Sequence, residues 1–190
     1  NFLVKSSNFN LQPKDVVLFG FGRIGRLCTR ELIKQAGKGQ QLRIRAVIVR
    51  KVDLKSIKKR ASLLLQDSVH GRFSGSIEIN EKEKSIIVNG QNIHFLSSEN
   101  RIDFKNLGIK NALLIDSTGI FKNRDKLKSH LNQHIKKIIL TAPGTSIPNI
   151  VYGVNHKKFN IEKENIFSAA SCTTNAIAPV LYVVNKNKKI

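Results

Sequence analysis

The chain has 190 residues, 41% of them apolar, and sets 33 Lys and Arg against 13 Asp and Glu for a formal charge of +20. That length suits one domain, or one domain and part of a second, and the apolar share is enough for a packed core. Two cysteines, Cys28 and Cys172, are too few for a disulfide framework, and no apolar run approaches the roughly 18 residues of a membrane span, so a reducing cytoplasm is the expected compartment.

The cations are spread along the chain, with pairs only at Lys58-Lys59, Lys136-Lys137 and Lys157-Lys158. No compact basic block or basic-aromatic module appears, so the excess reads as a solvated surface, with nucleic acid bound at most non-specifically through net charge. The chain starts at Asn1 and holds no Met, and trimmed ends are expected.

Residues 1–14 are polar with scattered apolars and read as an N-terminal extension. Residues 16–19 form a short apolar run of buried-strand type, and Gly20-Phe21-Gly22-Arg23-Ile24-Gly25 follows it. Leu27, Leu32 and Ile33, set among Arg26, Arg30 and Lys34, predict an amphipathic helix that ends near Gly37 and Gly39. A second buried strand is expected at 44–49. Leu54, Ile57, Ala61, Leu64 and Leu65 then recur at spacings of three and four and predict a helix over 53–65.

From Ser74 the period drops to two, through Ile77 and Ile79, Ile86 and Val88, Ile93 and Phe95, with turns at 81–84 and 89–92 between them. That pattern is an antiparallel meander. Further strands are expected at 112–115, 137–140, 150–154 and 166–169, and helices at 123–134 and 173–184. The order of elements predicts an α/β, Rossmann-type doubly wound parallel sheet over 15–169, with the meander as an insertion at about 74–97.

The glycine run fits G-x-G-x-x-G in the context that gives the pattern meaning, strand before and helix after. Gly20 permits the tight turn, Gly22 lets backbone approach a pyrophosphate, and Gly25 lets helix and strand pack closely. The helix then offers free N–H groups and the positive end of its dipole to phosphate. The other reading of the same residues is a purely structural glycine turn. The second strand of such folds ordinarily ends in an acid that grips the adenine ribose. Here it ends Val49-Arg50-Lys51, with no acid before Asp53. Arg50 either pairs with a 2′-phosphate, so that NADP is accepted as well as NAD, or points into solvent with specificity set elsewhere.

Cys172 lies in Ser168-Ala169-Ala170-Ser171-Cys172-Thr173-Thr174-Asn175, after a strand-like segment and before an apolar helical run. A thiol at a helix N-terminus is favoured as thiolate, and small hydroxylated neighbours leave room for a substrate, the setting of an activated nucleophile. Spacing alone leaves a buried structural cysteine equally open. Cys28, on the first helix, reads as core.

Together, Phe21-Gly22-Arg23-Ile24-Gly25-Arg26 and Ala170-Ser171-Cys172-Thr173-Thr174-Asn175 resemble phosphorylating glyceraldehyde-3-phosphate dehydrogenase. Between them stand, in the family's order, Asp67-Ser68-Val69-His70-Gly71-Arg72-Phe73, Asp116-Ser117-Thr118-Gly119-Ile120-Phe121, Thr141-Ala142-Pro143 and Gly153-Val154-Asn155-His156. The resemblance covers 15–179, and the N-terminal arm and Val-Arg-Lys strand end are similar to a bacterial branch with extended N-termini.

It implies that Cys172 attacks the aldehyde of glyceraldehyde 3-phosphate, that hydride passes to NAD or NADP, and that inorganic phosphate cleaves the resulting thioester. It implies that Ser171 and Thr173 flank the substrate, that the Cys172 N–H helps hold the oxyanion, and that Arg23 and Ile24 lie against the pyrophosphate. Thr118, Gly119 and Thr141 would lie along the cofactor. It also implies a homotetramer, no metal, and a second, catalytic domain of which 170–190 is only the start. Two departures concern cofactor choice: Phe19 stands where the family typically has Asn, and Arg50 where it typically has Asp. The family's catalytic histidine follows its cysteine, whereas His70, His94, His130, His134 and His156 all precede Cys172, so these residues alone are expected to be inactive. Erythrose-4-phosphate dehydrogenase, and a non-catalytic basic remnant that binds polyanions, are the alternatives.

Overall fold

The structure, a computed structural model, describes residues 13–36 and 42–188. The N-terminal extension and the glycine helix end at Gly37 and Gly39 lie outside the described residues, apart from the last residues before the first strand.

Strand β1 (Lys14–Phe19) opens the sheet, one residue earlier than the predicted domain boundary. Helix α1 (Arg23–Gln35) returns to β2 (Leu42–Val49), and α2 (Leu54–Leu65) follows. Two short strands, β3 (Gln66–Asp67) and β4 (Gly71–Arg72), pair with each other as a small hairpin. Then come β5 (Ile77–Asn80), β6 (Ser85–Val88), β7 (Gln91–Ser97) and β8 (Ala112–Asp116). A short α3 (Arg124–Lys128), β9 (Ile135–Leu140), a 3₁₀ turn at His156–Lys158, β10 (Ile166–Ser168) and α4 (Cys172–Lys188) complete the described residues.

The main sheet has eight strands in the order β10-β9-β8-β1-β2-β7-β6-β5. All neighbours from β10 to β7 are parallel, so the order reverses between β1 and β8 and the sheet is doubly wound. Alternation along the central strands feeds two cores. Val16, Leu18, Val47 and Val49 join α1 and α2 residues such as Ile33, Ile57, Ala61 and Leu64 on one face. Val17, Ala46 and Ile48 join Leu114, Leu127, Ile138 and Leu140 on the other. Period-two alternation on strands covered on both sides is what a doubly wound sheet demands.

The meander extends the same sheet instead of leaving it. Its last strand, β7, is antiparallel to β6 and parallel to β2, so it is at once the end of the predicted insertion and a strand of the parallel sheet. The β6–β7 turn is Asn89-Gly90, with φ of 47° and 80°. Positive φ at both central residues matches the twist of an antiparallel pair, and Asn-Gly tolerates it. Helix α2 begins on a reciprocal cap, in which the Asp53 carboxylate accepts from Ser56 N–H at 2.7 Å and Ser56 Oγ accepts from Asp53 N–H at 3.2 Å.

Two predicted elements need correction. The helix expected over 123–134 stops at Lys128, because the Asn132 side chain accepts from the backbone of His134 and Ile135 at 2.8 and 3.0 Å and turns the chain. The strand expected at 150–154 does not form. Asn155 Oδ1 accepts from Val151 N–H at 2.8 Å, Asn155 Nδ2 donates to Asn149 O at 3.0 Å, and Gly153 adopts a φ of 86°. Asparagine side chains there take the backbone partners that a ladder would have used.

Candidate cofactor and nucleophile site

The carboxyl ends of the parallel strands lie level. Phe19 pairs with Asp116, Asp116 with Leu140, and Leu140 with Ser168. The residues that follow each strand therefore line one edge: Gly20 after β1, Ser117-Thr118-Gly119 after β8, Thr141 after β9, and Ala169-Ala170-Ser171-Cys172 after β10. The crevice outside this edge, at the reversal point, is where open α/β sheets bind ligands.

Gly20 holds a φ of +91°, which only glycine adopts without strain, and donates to Ile48 O at 2.9 Å. Ser117 locks the turn from the next strand, its hydroxyl within 3.1 Å of Phe19 O and 3.0 Å of Gly20 O. A Cβ on Gly25 would stand 2.5 Å from Gly20 O, so this glycine is required for helix-to-loop contact, whereas a Cβ on Gly22 would meet nothing within 4 Å. The space above Gly22 is open, and the first-turn amides of α1 face it without intrahelical acceptors. This combination fits a pyrophosphate. Arg23 and Ile24, the first two residues of α1, bring backbone N–H groups to that space. The Arg23 side chain itself leans to the β3–β4 hairpin, 3.6 Å from Asp67 and 3.1 Å from Ser68 Oγ.

Asp67 organises that hairpin. Its buried carboxylate accepts from Val69 N–H, His70 N–H and His70 Nδ1 at 3.0, 3.0 and 3.1 Å. Those bonds, the His70 and Val69 amides first, hold its pKa well below the usual carboxylate range. The local signal for this role is the Asp-Ser-Val-His spacing, which suits a side chain that caps its own turn.

Asp116 is a second hub. It is fully buried at the end of β8, and its Oδ1 accepts from Thr118 N–H and Thr118 Oγ1, both at 2.8 Å. The Asp116 carbonyl accepts from Thr141 N–H at 2.9 Å and Thr141 Oγ1 at 3.1 Å. Both predicted cofactor-contact threonines thus have hydroxyls committed to Asp116, and Gly119 turns the chain away at a φ of 72°. Burial pushes the Asp116 carboxyl up from its usual pKa, against the Thr118 bonds. Phe19 turns to the opposite face, its ring centroid 5.8 Å from Phe121 and 5.3 Å from His130, and burial pushes the His130 imidazole down.

Cys172 is the first residue of α4 and is exposed. Ser171 caps the helix, its Oγ accepting from Thr174 N–H at 2.9 Å and lying 2.7 Å from Thr174 Oγ1. Asn175 Nδ2 reaches back to Ala169 O at 2.7 Å and Ser171 O at 2.9 Å, which pins the entry to the helix. Ala170 takes a φ of 59° to make the corner. The Thr173 hydroxyl lies 4.0 Å from the Cys172 sulfur. Cys28, by contrast, is partly buried against the first core, and burial pushes its thiol pKa up. Of the two cysteines, only Cys172 stands on the sheet's carboxyl edge.

Arg50 follows the last residue of β2, exposed, on the rim of a cavity of about 350 Å³ shared with Lys51, Lys84, Ser97 and Glu99. A cavity of about 990 Å³ opens beneath residues 98–105, against Phe104, His130 and His134, and is distinct from the glycine cradle. Among the described residues no three His, Cys, Asp or Glu side chains gather where they could hold a metal, and no helix is long and apolar enough to cross a membrane.

Comparison with known proteins shows the family. The family described as glyceraldehyde 3-phosphate dehydrogenase, NAD binding domain, matches residues 14–124. The chain belongs to the glyceraldehyde 3-phosphate dehydrogenase family. It is 50% identical over 175 residues to a glyceraldehyde-3-phosphate dehydrogenase-like protein of Pseudomonas aeruginosa, covering 90% of this chain and 38% of that one. It is 38% identical to the glyceraldehyde-3-phosphate dehydrogenase of Chlamydia pneumoniae and 39% identical to that of Thermotoga maritima, in each case over 90% of this chain and 49% of the relative. The chain thus spans half or less of the length of these relatives. Family membership makes it part of an oxidoreductase family whose matched domain binds NAD, and the cradle over Gly22 is the part of the fold that suits that cofactor.

Proposed function

We propose that this chain is the cofactor-binding half, with the nucleophile, of a phosphorylating glyceraldehyde-3-phosphate dehydrogenase. The observation that carries the reading is Cys172 exposed at the start of α4, on the same sheet edge as the open space over Gly22. The first-turn amides of α1, at Arg23 and Ile24, would hold the pyrophosphate, with Thr118, Gly119 and Thr141 shaping the floor under the rest of the cofactor. Arg50 would lie beside the adenosine ribose.

In this mechanism the Cys172 thiolate adds to the aldehyde carbon, and the resulting oxyanion lies against the Cys172 backbone N–H. NAD or NADP, when bound, supplies the hydride acceptor. Loss of hydride from the aldehyde carbon leaves a thioester on Cys172. An oxygen of inorganic phosphate then attacks the acyl carbon, the Cys172 sulfur departs as thiolate, and an acyl phosphate is released. Ser171 has its hydroxyl engaged in capping, so its contribution to substrate is the small, fixed corner it makes, while Thr173 offers a hydroxyl beside the sulfur. These residues carry no histidine after Cys172, and lack of general-base help costs about 10²–10⁴-fold in rate. Full activity, a homotetramer and a cytoplasmic setting belong to the proposal for the whole protein.

The reaction run backwards tests the nucleophile without needing the base. The acyl phosphate of 3-phosphoglycerate should acylate Cys172, read as a mass increment on its peptide, and Cys172→Ser should abolish it. Acylation of Cys28 as fast as Cys172 would remove the proposal.

A further inference from the structure

The rim occupied by Arg50 is built, and its construction bears on which dinucleotide the chain takes. Val49 of β2 pairs with Ser97 of β7, and β6 runs antiparallel beside β7 with Ser85 opposite His94. Lys84, just before β6, is tied to β7 by a bond from Phe95 N–H to its carbonyl at 2.9 Å. Three neighbouring strands thus bring Arg50, Ser97 and Lys84 to one cavity of about 350 Å³, within the range of ligand pockets, about 300–1,000 Å³. Ser97 Oγ donates to Arg50 O at 2.9 Å and accepts from Glu99 N–H at 3.3 Å, so the backbone that carries Arg50 is fixed before any ligand arrives.

The charges sort themselves. Lys51 lines the cavity but is engaged by Asp53 at 3.3 Å. Arg50 and Lys84 have no carboxylate within ion-pair distance among the described residues, and Glu99 is the one acid on the lining. The wall therefore presents a net positive charge where folds of this kind place a ribose-gripping acid. A ribose diol with no phosphate gains nothing from two cations, whereas a phosphate monoester gains charge-assisted hydrogen bonds from both.

We propose that this cavity is a 2′-phosphate pocket, in which Arg50 and Lys84 hold the adenosine 2′-phosphate of NADP and make it the preferred dinucleotide. The assignment rests on the dinucleotide reading of the glycine loop, and goes beyond it in naming Lys84, a residue from the meander, as a specificity determinant.

Calorimetric titration of the chain with NAD and with NADP tests both levels. NADP binds about tenfold or more tightly than NAD, and Lys84→Gln and Arg50→Gln each lower that ratio by about three- to tenfold, the weight of one exposed charge-assisted contact. Lys82→Gln, in the same turn but off the cavity lining, leaves the ratio in place. A wild-type ratio at or below one overturns the pocket, as does a ratio that Lys84→Gln and Arg50→Gln move no further than Lys82→Gln. Either of those results, with NAD still bound, leaves the dinucleotide reading standing. Absence of binding by both cofactors removes that reading and the pocket with it.

Discussion

A methyl group on Gly25 would meet the Gly20 carbonyl oxygen at 2.5 Å and Ser117 Oγ at 2.8 Å, and one on Gly22 would meet nothing. The two glycines of one motif therefore answer to different constraints, and substitution separates them. Gly25→Ala forces α1 away from the loop and should lower unfolding free energy by about 1–3 kcal/mol, as overpacking does. Gly22→Ala should leave the unfolding free energy within about 0.5 kcal/mol of wild type and weaken cofactor binding, because the methyl enters only the ligand's space. Thermal melts beside NAD titrations of the two variants check this, and equal destabilisation by both would show that the space over Gly22 is not reserved for a ligand. The glycines and Cys172 were legible in the sequence because they sit at the turns of a strand-loop-helix pattern. The Ser117 hydroxyl was not, because its bond to Gly20 spans 97 residues and nothing local announces it, whereas Asp67 and the Asp116 side chain bond backbone two or three residues on, within the reach of a local pattern.

Elements on the second face are held by a pair whose strength depends on pH. Arg124, at the start of α3, grips Glu164, just before β10, through two bonds at 3.0 and 2.7 Å. Those bonds from Arg124 lower the Glu164 pKa from 4.5 to about 2. A carboxylate depressed in the folded state stabilises above its ordinary pKa and loses that contribution as pH falls through the folded value. The Glu164 share is thus complete above pH 4.5 and disappears between about 4.5 and 2. It amounts to about 1 kcal/mol or less, since both side chains are part-exposed. Denaturant titrations from pH 7 to 2 should show Glu164→Gln less stable at neutral pH and converging on wild type in acid; a constant gap would deny the linkage. Asp53→Ala, which removes the α2 cap, should cost about 1 kcal/mol at pH 7 by the same assay, and no loss would mean that Ser56 alone holds the helix start. Strands and helices with strict periodicity could be read from sequence to within a few residues. The stretches at 129–134 and 150–154 could not, since asparagine side chains there outcompete the backbone. The double role of β7 was hidden as well: alternation reports which residues face a core, not which neighbour a strand pairs with.

At the scale of the whole molecule, two features pull against each other. The last helix exposes Ile177, Val180, Leu181, Tyr182, Val183 and Val184, between 39% and 60% of each open to solvent. A contiguous apolar surface of that kind drives association in water. The chain as a whole carries a formal charge of +20, which keeps copies apart by mutual repulsion. Repulsion between exposed charges is screened over about 10 Å at 0.1 M salt and about 3 Å at 1 M, while apolar attraction is not. Light scattering of the 190-residue chain should therefore rise with sodium chloride, the opposite of an assembly held by ion pairs. Leu181→Lys, at one of the most exposed of these positions, should delay that rise to higher salt without altering helical circular dichroism. If scattering instead falls as salt is added, self-association runs through charge, and the apolar face of α4 is not what brings the copies together.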